Sequence, residues 1–310
     1  MANQLCVCGD GMSNTGFPNC IKTPQVIKKA IFVQLVANDG TLNKVDPATM
    51  STLSAFTALI NHADTSKRWY PTPELKNITT PKDDAVFEKY EDDTSNFIRE
   101  SVRKFSALLP NAPAKFKDTF ESIRCVGNIG VYFVDVQGNL VGLTNGSDDY
   151  LYPIPVAAQS AYAKYDFATD KTTTQLGLMF EFPSTLRDGL IRLIAASTFT
   201  DFSMISLSGL QDVVGKVSGI TTTGFTLKLG VESAEVGKTI PVQGLLIGGF
   251  VLKEVTPTPS TITITSVTET APGTYVFVIP TQTSLDLLSV TPTKNGYDFS
   301  TVPSVAITIP

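Results

Sequence analysis

Alternating apolar and charged residues predict a β-hairpin in the first third of the chain. One strand would run from Trp69 to Ile78 and the other from Val86 to Tyr90, with a turn over residues 79–84. Both faces of the second strand carry apolar and charged side chains. Because one monomeric core cannot cover both faces, we expect the hairpin to pack between subunits. The residues predicted to form this contact are Ile78, Val86, Phe87 and Tyr90.

A different pattern, with apolar residues three or four positions apart, predicts an amphipathic helix after the hairpin. Thr94 or Ser95 would cap this helix and Pro110 would end it. A second, shorter helix is predicted around Phe120, followed by a buried strand over residues 125–135. The apolar stripe of the first helix would consist of Ile98, Val102, Phe105 and Leu109.

More strands and helices are predicted on either side of these elements. Apolar and polar residues alternate over 172–182, which predicts a hairpin with 155–167 across a turn at 168–171. Residues 184–196 carry apolar side chains at helical spacing and predict a helix, with a strand as the competing interpretation. An apolar stretch before His62 predicts that an earlier helix ends there.

Composition changes near residue 205. The last part of the chain, 205–310, holds 12 of the 53 charged residues (24 basic plus 29 acidic). It divides into roughly eight short strands separated by turn residues, which is typical of an immunoglobulin-like sandwich. The pattern predicts a mainly β (α+β) chain with an N-terminal arm at 1–25, a first domain at 26–205, to which the resemblance described next assigns ring formation, and an immunoglobulin-like β-sandwich at 206–310.

Several runs of residues carry a resemblance through their order and spacing. They are Arg68-Trp69-Tyr70-Pro71-x-Pro73-Glu74-Leu75, Val86-Phe87-Glu88-x-Tyr90, Phe97-Ile98-Arg99-Glu100, Val134-Asp135-x-x-Gly138-Asn139-Leu140 and the Cys-rich start Cys6-x-Cys8-Gly9-x-Gly11. In this order they resemble virion proteins of tailed phages that infect Bacteroidetes, and among these the major tail tube proteins. The resemblance spans residues 1–200.

That resemblance implies a fold and a role. The fold would be tail-tube-like, with packed antiparallel sheets and a flanking helix, followed here by the immunoglobulin-like domain. Copies of the chain would form rings, usually hexameric, that stack into a conduit for phage DNA in the virion tail. The partners would be other copies and other tail proteins, with DNA passing through without specific binding. Assembly would take place in the host cytoplasm.

Charge and hydropathy disfavour two kinds of binding partner, nucleic acids and membranes. The chain is 42% hydrophobic and 17% charged, with a net charge of −5. A net negative charge disfavours a general nucleic-acid-binding surface. No apolar run approaches the roughly 20 residues needed to span a bilayer, so we expect no membrane partner.

Acidic residues are the main candidate functional groups. They are either solvated charges of loops and a helix cap, or a ring of carboxylates that faces a lumen and keeps DNA phosphates from adhering. The candidate lumen residues are Asp83, Asp84, Asp92 and Asp93.

Patterns for catalysis and metal binding are weak. The chain has no nucleophile elbow, Walker loop or His-Glu-x-x-His sequence, so we predict that it is not an enzyme and uses no cofactor. Cys6, Cys8 and Cys20 could hold zinc only if Cys125 or His62 completed the site. Their spacing is not that of a zinc finger, and reduced thiols in an N-terminal arm are the favoured interpretation, with no bound metal.

Two other classes of protein remain open. One is a different phage structural protein, such as a head completion, sheath or fibre-attachment protein. The other is an adhesive or carbohydrate-binding module on the C-terminal sandwich. Such modules usually present clustered exposed aromatic residues, whereas several aromatic residues of 206–310 occupy core-like contexts.

Overall fold

The computed structural model describes residues 22–91, 93–256, 260–282, 287–300, 302 and 307–308. The chain divides into two compact units, residues 1–209 and residues 210–310. The fold is mainly β, with several antiparallel sheets. The first 21 residues, with Cys6, Cys8 and Cys20, lie outside the described part, so the predicted N-terminal arm stays a prediction.

Besides four short 3-10 helices, two α-helices and twelve strands of the first unit are described. They are β1 (Ile27–Gln34), α1 (Leu53–Ile60), β2 (Tyr70–Pro71), β3 (Lys76–Thr79), β4 (Val86–Lys89), β5 (Ser95–Arg99), β6 (Lys104–Pro110), α2 (Lys115–Ser122), β7 (Ile129–Asp135), β8 (Leu140–Leu143), β9 (Ile154–Pro155), β10 (Tyr162–Asp166), β11 (Gln175–Glu181) and β12 (Ile191–Ile194).

Two sheets form the body of this unit. The first has the order β12-β8-β7-β1-β2, with β9 also paired to β7, and the second has the order β10-β11-β6-β3. Aromatic rings from both sheets meet in the core. Phe105 of β6 stacks on Phe133 of β7, with 5.1 Å between ring centroids, and on Phe180 of β11 at 4.5 Å. The two sheets therefore pack face to face.

Helix α2 flanks this pair of sheets. Its Phe120 is buried, and its ring lies 5.5 Å from that of Phe32 in β1, edge to face. The pKa of Glu121 is lowered, chiefly by the hydrogen bond from Lys117, and the backbone N–H of Ala163 in β10 also bonds to its carboxylate. Because β10 is an edge strand, this contact covers part of an otherwise open sheet edge.

Several predicted elements are confirmed. Strands β10 and β11 form the predicted hairpin, with a run of buried residues along one face of β11. The short helix around Phe120 is α2, and all seven residues of β7 are buried. The helix before His62 is α1, whose C-cap is Asn61.

Two predicted helices are wrong. The segment expected to be an amphipathic helix forms β5 and β6 instead, and Phe105, Ala107 and Leu109 of β6 are buried at alternate positions. Pairing of β6 with both β11 and β3 outweighs the helical spacing. Within 184–196, a short 3-10 helix at Asp188–Leu190 leads into β12, which pairs with β8, so the competing strand interpretation is correct there.

The second unit is built from strands and one 3-10 helix among its described residues. The strands are β13 (Gln211–Thr221), β14 (Gly224–Glu232), β15 (Thr239–Pro241), β16 (Phe250–Thr256), β17 (Ser260–Ile262), β18 (Ser266–Ala271), β19 (Thr274–Val278), β20 (Leu287–Pro292), β21 (Tyr297–Asp298) and β22 (Ile307–Thr308). One sheet has the order β18-β19-β14-β13-β21, with β15 also paired to β14, and the other has the order β17-β16-β20-β22.

A separate core lies between these two sheets. The rings of Phe225 and Phe277 stack at 4.4 Å in the first sheet, and Phe250 of the second sheet packs edge-on against Phe277 at 4.9 Å. The hydroxyl of the buried Tyr275 donates to the carbonyl of Val242 at 2.7 Å. The unit thus has its own apolar cluster, and the buried hydroxyl of Tyr275 finds its hydrogen-bond acceptor within the same unit.

Residues 210–310 are expected to fold when expressed alone, because their apolar cluster is drawn from their own strands. Circular dichroism and calorimetry should show a cooperative unfolding transition for this fragment and a second transition for residues 1–209. A single transition shared by the full chain, with an unfolded 210–310 fragment, would contradict this expectation.

Candidate assembly surface

One long β-hairpin runs from β3 to β6 and extends beyond the body of the first unit. Its inner half, β3 and β6, belongs to the second sheet, whereas its outer half, β4 and β5, forms a separate two-stranded sheet. The chain reverses at the tip, where the N–H of Tyr90 bonds to the carbonyl of Thr94 at 2.9 Å. We call residues 86–99 the arm.

This arrangement corrects the predicted hairpin. Strands β3 and β4 do not pair with each other; both lie on the outgoing side, and their partners are β6 and β5. The predicted turn at 79–84 is instead an interruption between the two halves, where Pro81 has no N–H to donate. The real turn is the acidic tip, where Asp93 has a φ of 64°. Glu91 and Asp93, which belong to the acidic run that resembled a helix cap, therefore lie in the turn.

Every described residue of the arm is exposed to solvent. Phe87 and Phe97 lie directly opposite each other on the two strands, and their rings meet edge to face at 5.9 Å. Neither ring has a further aromatic neighbour among the described residues. The exposed fractions of the large apolar side chains are 36% for Val86, 52% for Phe87, 44% for Tyr90, 56% for Phe97 and 55% for Ile98.

Polar groups occupy a different face of the arm. The hydroxyl of Tyr90 donates to a carboxylate oxygen of Glu88 at 2.9 Å and accepts from the side-chain amide of Asn96 at 3.1 Å. Glu88 and Asn96 are directly opposite across the strands. Side chains alternate along a strand, so Phe87 and Phe97 point away from this polar group. We call the face with Phe87 and Phe97 the aromatic face; Tyr90, with its hydrogen bonds, lies on the opposite face.

The predicted contact residues divide between the arm and the body. Val86, Phe87 and Tyr90 belong to the arm. The half-buried Ile78 lies outside the arm and packs against the core of the first unit. Sequence analysis missed Phe97 and Ile98 because it placed them on a helix. A signal was available, because an aromatic residue stands on each side of the acidic segment at a spacing that a hairpin brings together.

The candidate lumen carboxylates are not gathered in one place. Asp83 lies at the base of the arm, with its carboxylate 3.9 Å from the ammonium of Lys104. The carbonyl of Asp84 accepts a hydrogen bond from the hydroxyl of Ser101, also at the base. Asp93 is at the tip, and Asp92 lies outside the described residues. The two groups are separated by the length of β4, roughly 15 Å at the usual rise per residue.

Two segments, 80–85 and 100–103, join the arm to the body, and we call them the root. Lys82 and Arg103 form an isolated bridge between the two segments. The ammonium of Lys82 lies 2.8 Å from the carboxylate of Glu100 and 3.3 Å from that of Asp188, while the guanidinium of Arg103 lies 2.9 Å from the same oxygen of Asp188. The hydrogen bond with Glu100, followed by that with Asp188, raises the pKa of Lys82.

The candidate metal ligands of the described part of the chain lie apart from one another. No group of three or more His, Cys, Asp or Glu side chains there could hold a metal ion. Cys125 is a free, exposed thiol at the end of a 3-10 helix. The Nδ1 atom of His62 accepts from the backbone N–H of Asp64 at 3.1 Å, which fits a local structural role in the loop after α1.

Comparisons with known proteins add no relative. No protein-family model matches the chain, and no curated protein is significantly similar to it. Among the described helices, none has the length and apolar character needed to cross a membrane.

Proposed function

We propose that the chain is a structural virion protein, a tail tube subunit that forms stacked rings around a conduit for phage DNA. The observation that carries this proposal is the exposed arm. An isolated two-stranded ribbon is marginally stable at best in water, and this one leaves two aromatic rings about half exposed. A second copy of the chain that covered the aromatic face would remove that apolar area from water.

The body of the first unit also suits this role. Two packed antiparallel sheets with α2 on one side correspond to the architecture expected of a tail tube domain. In this proposal the second unit is an immunoglobulin-like sandwich that decorates the outside of the tube. Other tail proteins bind at the ends of the tube. The virion tail is then the location of the protein.

Asp83, Asp84 and Asp93 could still face the conduit in this proposal. They would not form a single ring of carboxylates, because Asp83 and Asp84 lie at the base of the arm and Asp93 lies at its tip. The two groups would face the conduit only if the arm ran along its wall, with carboxylates near both ends of the arm. Repulsion of DNA phosphates is screened over about 10 Å at moderate salt, so such charges would act only on DNA that passes close to them.

Electron microscopy of the purified protein tests the proposal directly. Stacked rings with a continuous axial channel are the expected result. Single closed rings that do not stack would favour a head completion protein instead. A protein that stays monomeric at all concentrations, including with other tail proteins present, would contradict the proposal.

A further inference from the structure

The root is the connection through which the two strands of the arm leave the body. Strands β4 and β5 pair with each other in a sheet separate from the two body sheets, so a change of backbone angle at the root would move both strands together. The N–H of Lys104 bonds to the carbonyl of Pro81 at 2.9 Å, and the N–H of Phe182 bonds to the carbonyl of Arg103 at 3.0 Å. These bonds hold the inner end of the root. At its outer end, the hydrogen bond from Ser101 to Asp84 joins the two segments to each other rather than to the body.

Asp188 is a side chain that reaches the root from elsewhere in the fold. It begins the 3-10 helix between β11 and β12, far along the chain from both root segments. One oxygen of its carboxylate contacts Lys82 on the outgoing segment and Arg103 on the returning segment. In the described residues, the other side-chain ion pairs of the root, Lys82 with Glu100 and Lys104 with Asp83, stay within the long hairpin.

We propose that Asp188 is a positioning residue that fixes the direction in which the arm leaves the body. A carboxylate bound to one segment alone would let the ribbon twist about that segment, whereas one bound to both restrains the pair. This inference rests on the proposed function, because a fixed arm presents its aromatic face to a neighbouring copy at a smaller entropic cost than a swinging arm.

The experiment measures the direction of the arm in the monomer, separately from assembly. Spin labels are placed on the arm by Lys89→Cys and on α2 by Asp118→Cys, with Cys6, Cys8, Cys20 and Cys125 changed to Ser. Pulsed dipolar spectroscopy, at a concentration below that of assembly, should give one narrow distance peak. Asp188→Asn should broaden it, and so should 1 M salt, where the screening length falls to about 3 Å.

A charge swap separates positioning from general stability. Asp188→Arg alone should broaden the peak. Adding both Lys82→Glu and Arg103→Asp, which places an opposite charge on each segment again, should narrow it, which lost stability alone would not do. The matched control is Asp166→Asn, which removes the 3.0 Å ion pair with Lys164 elsewhere in the unit and should leave the peak unchanged. A peak that stays narrow in Asp188→Asn would overturn the inference.

Assembly of the same variants, measured without labels, tests the two proposals independently. Slower tube growth in Asp188→Asn, restored by the charge swap, supports both. A broadened peak with tube growth equal to wild type supports the positioning role of Asp188 but removes the arm from the assembly contact.

Discussion

Changing both Phe87 and Phe97 to serine is expected to give a folded monomer that no longer assembles at wild-type concentrations. Both rings are about half exposed in the free subunit, so the double variant should lose roughly 1 kcal/mol per site at most. The two rings contact each other, so that loss falls on the arm and should leave the body folded. In an assembled contact the same rings would be covered. Burying the remaining half of each ring contributes about 1 kcal/mol or somewhat more, and the pair about 2–3 kcal/mol.

A loss of that size raises the concentration needed for assembly by roughly 30- to 100-fold, since each 1.4 kcal/mol is a factor of ten. Sedimentation velocity and electron microscopy measure assembly, while circular dichroism and thermal unfolding check the monomer. The control is Phe167→Ser, which removes an 80% exposed ring outside the arm and should assemble normally. Normal assembly of the double variant, or equal failure of the control, would show that the contact lies elsewhere.

Removing the whole arm gives a second form of the same test. Asp84 and Ser101 are already in contact at the root, so residues 85–100 can be replaced by a two-residue Asn-Gly turn. A deletion that began at Ile78 would be less informative, because Ile78 packs against the core and Thr79 pairs with Ser106 in the body sheet. The shortened protein should stay folded and monomeric.

The sequence was informative where strict alternation coincided with a polar turn. In β11, Leu176, Leu178 and Phe180 are buried at every second position, and the turn residues 168–171, three of which are polar, lie between them and β10. A period of two over that length excludes a helix, so the hairpin could be predicted with its faces. Buried β7 was also predictable, because its apolar run is too short for a membrane span and is followed by a turn.

The arm could not be predicted because its apolar residues are exposed, so their spacing does not indicate which face of the segment is buried. Ile98 is 55% exposed and Phe105 is buried, yet they are seven residues apart and fit one helical stripe. The period of two in Phe105, Ala107 and Leu109 was present in the same segment, but both periods were compatible with it. Only pairing with β3 and β11, which are distant in sequence, decides between them.

A buried carboxylate ties together three parts of the first unit. Asp135 ends β7 and is fully buried; one of its oxygens accepts from the backbone N–H groups of Gln137 and Asn139, each at 2.9 Å. Its other oxygen accepts from the N–H of Gln25 at 3.1 Å and from the side-chain amide of Asn139 at 2.7 Å. Asn139 in turn accepts from the N–H of Ala196 at 2.8 Å. The β7–β8 turn is thereby joined to the segment before β1 and to the segment after β12.

Asp135→Ala is expected to destabilise the first unit by roughly 3–5 kcal/mol, because it leaves four donors without their acceptor and the two donors of Asn139 are buried. For a unit of this size, that loss lowers the unfolding temperature by about 10 °C or more. Asp135→Asn keeps the shape but turns one acceptor into a donor that faces Gln25 and Asn139, so its loss should be intermediate. The exposed Asp170→Ala is the control and should unfold like wild type. Calorimetry of residues 1–209 measures the stability of the three variants. If Asp135→Ala lowers the free energy of unfolding by less than about 1 kcal/mol, water replaces the carboxylate, and the hydrogen bonds of Asp135 contribute little to the fold.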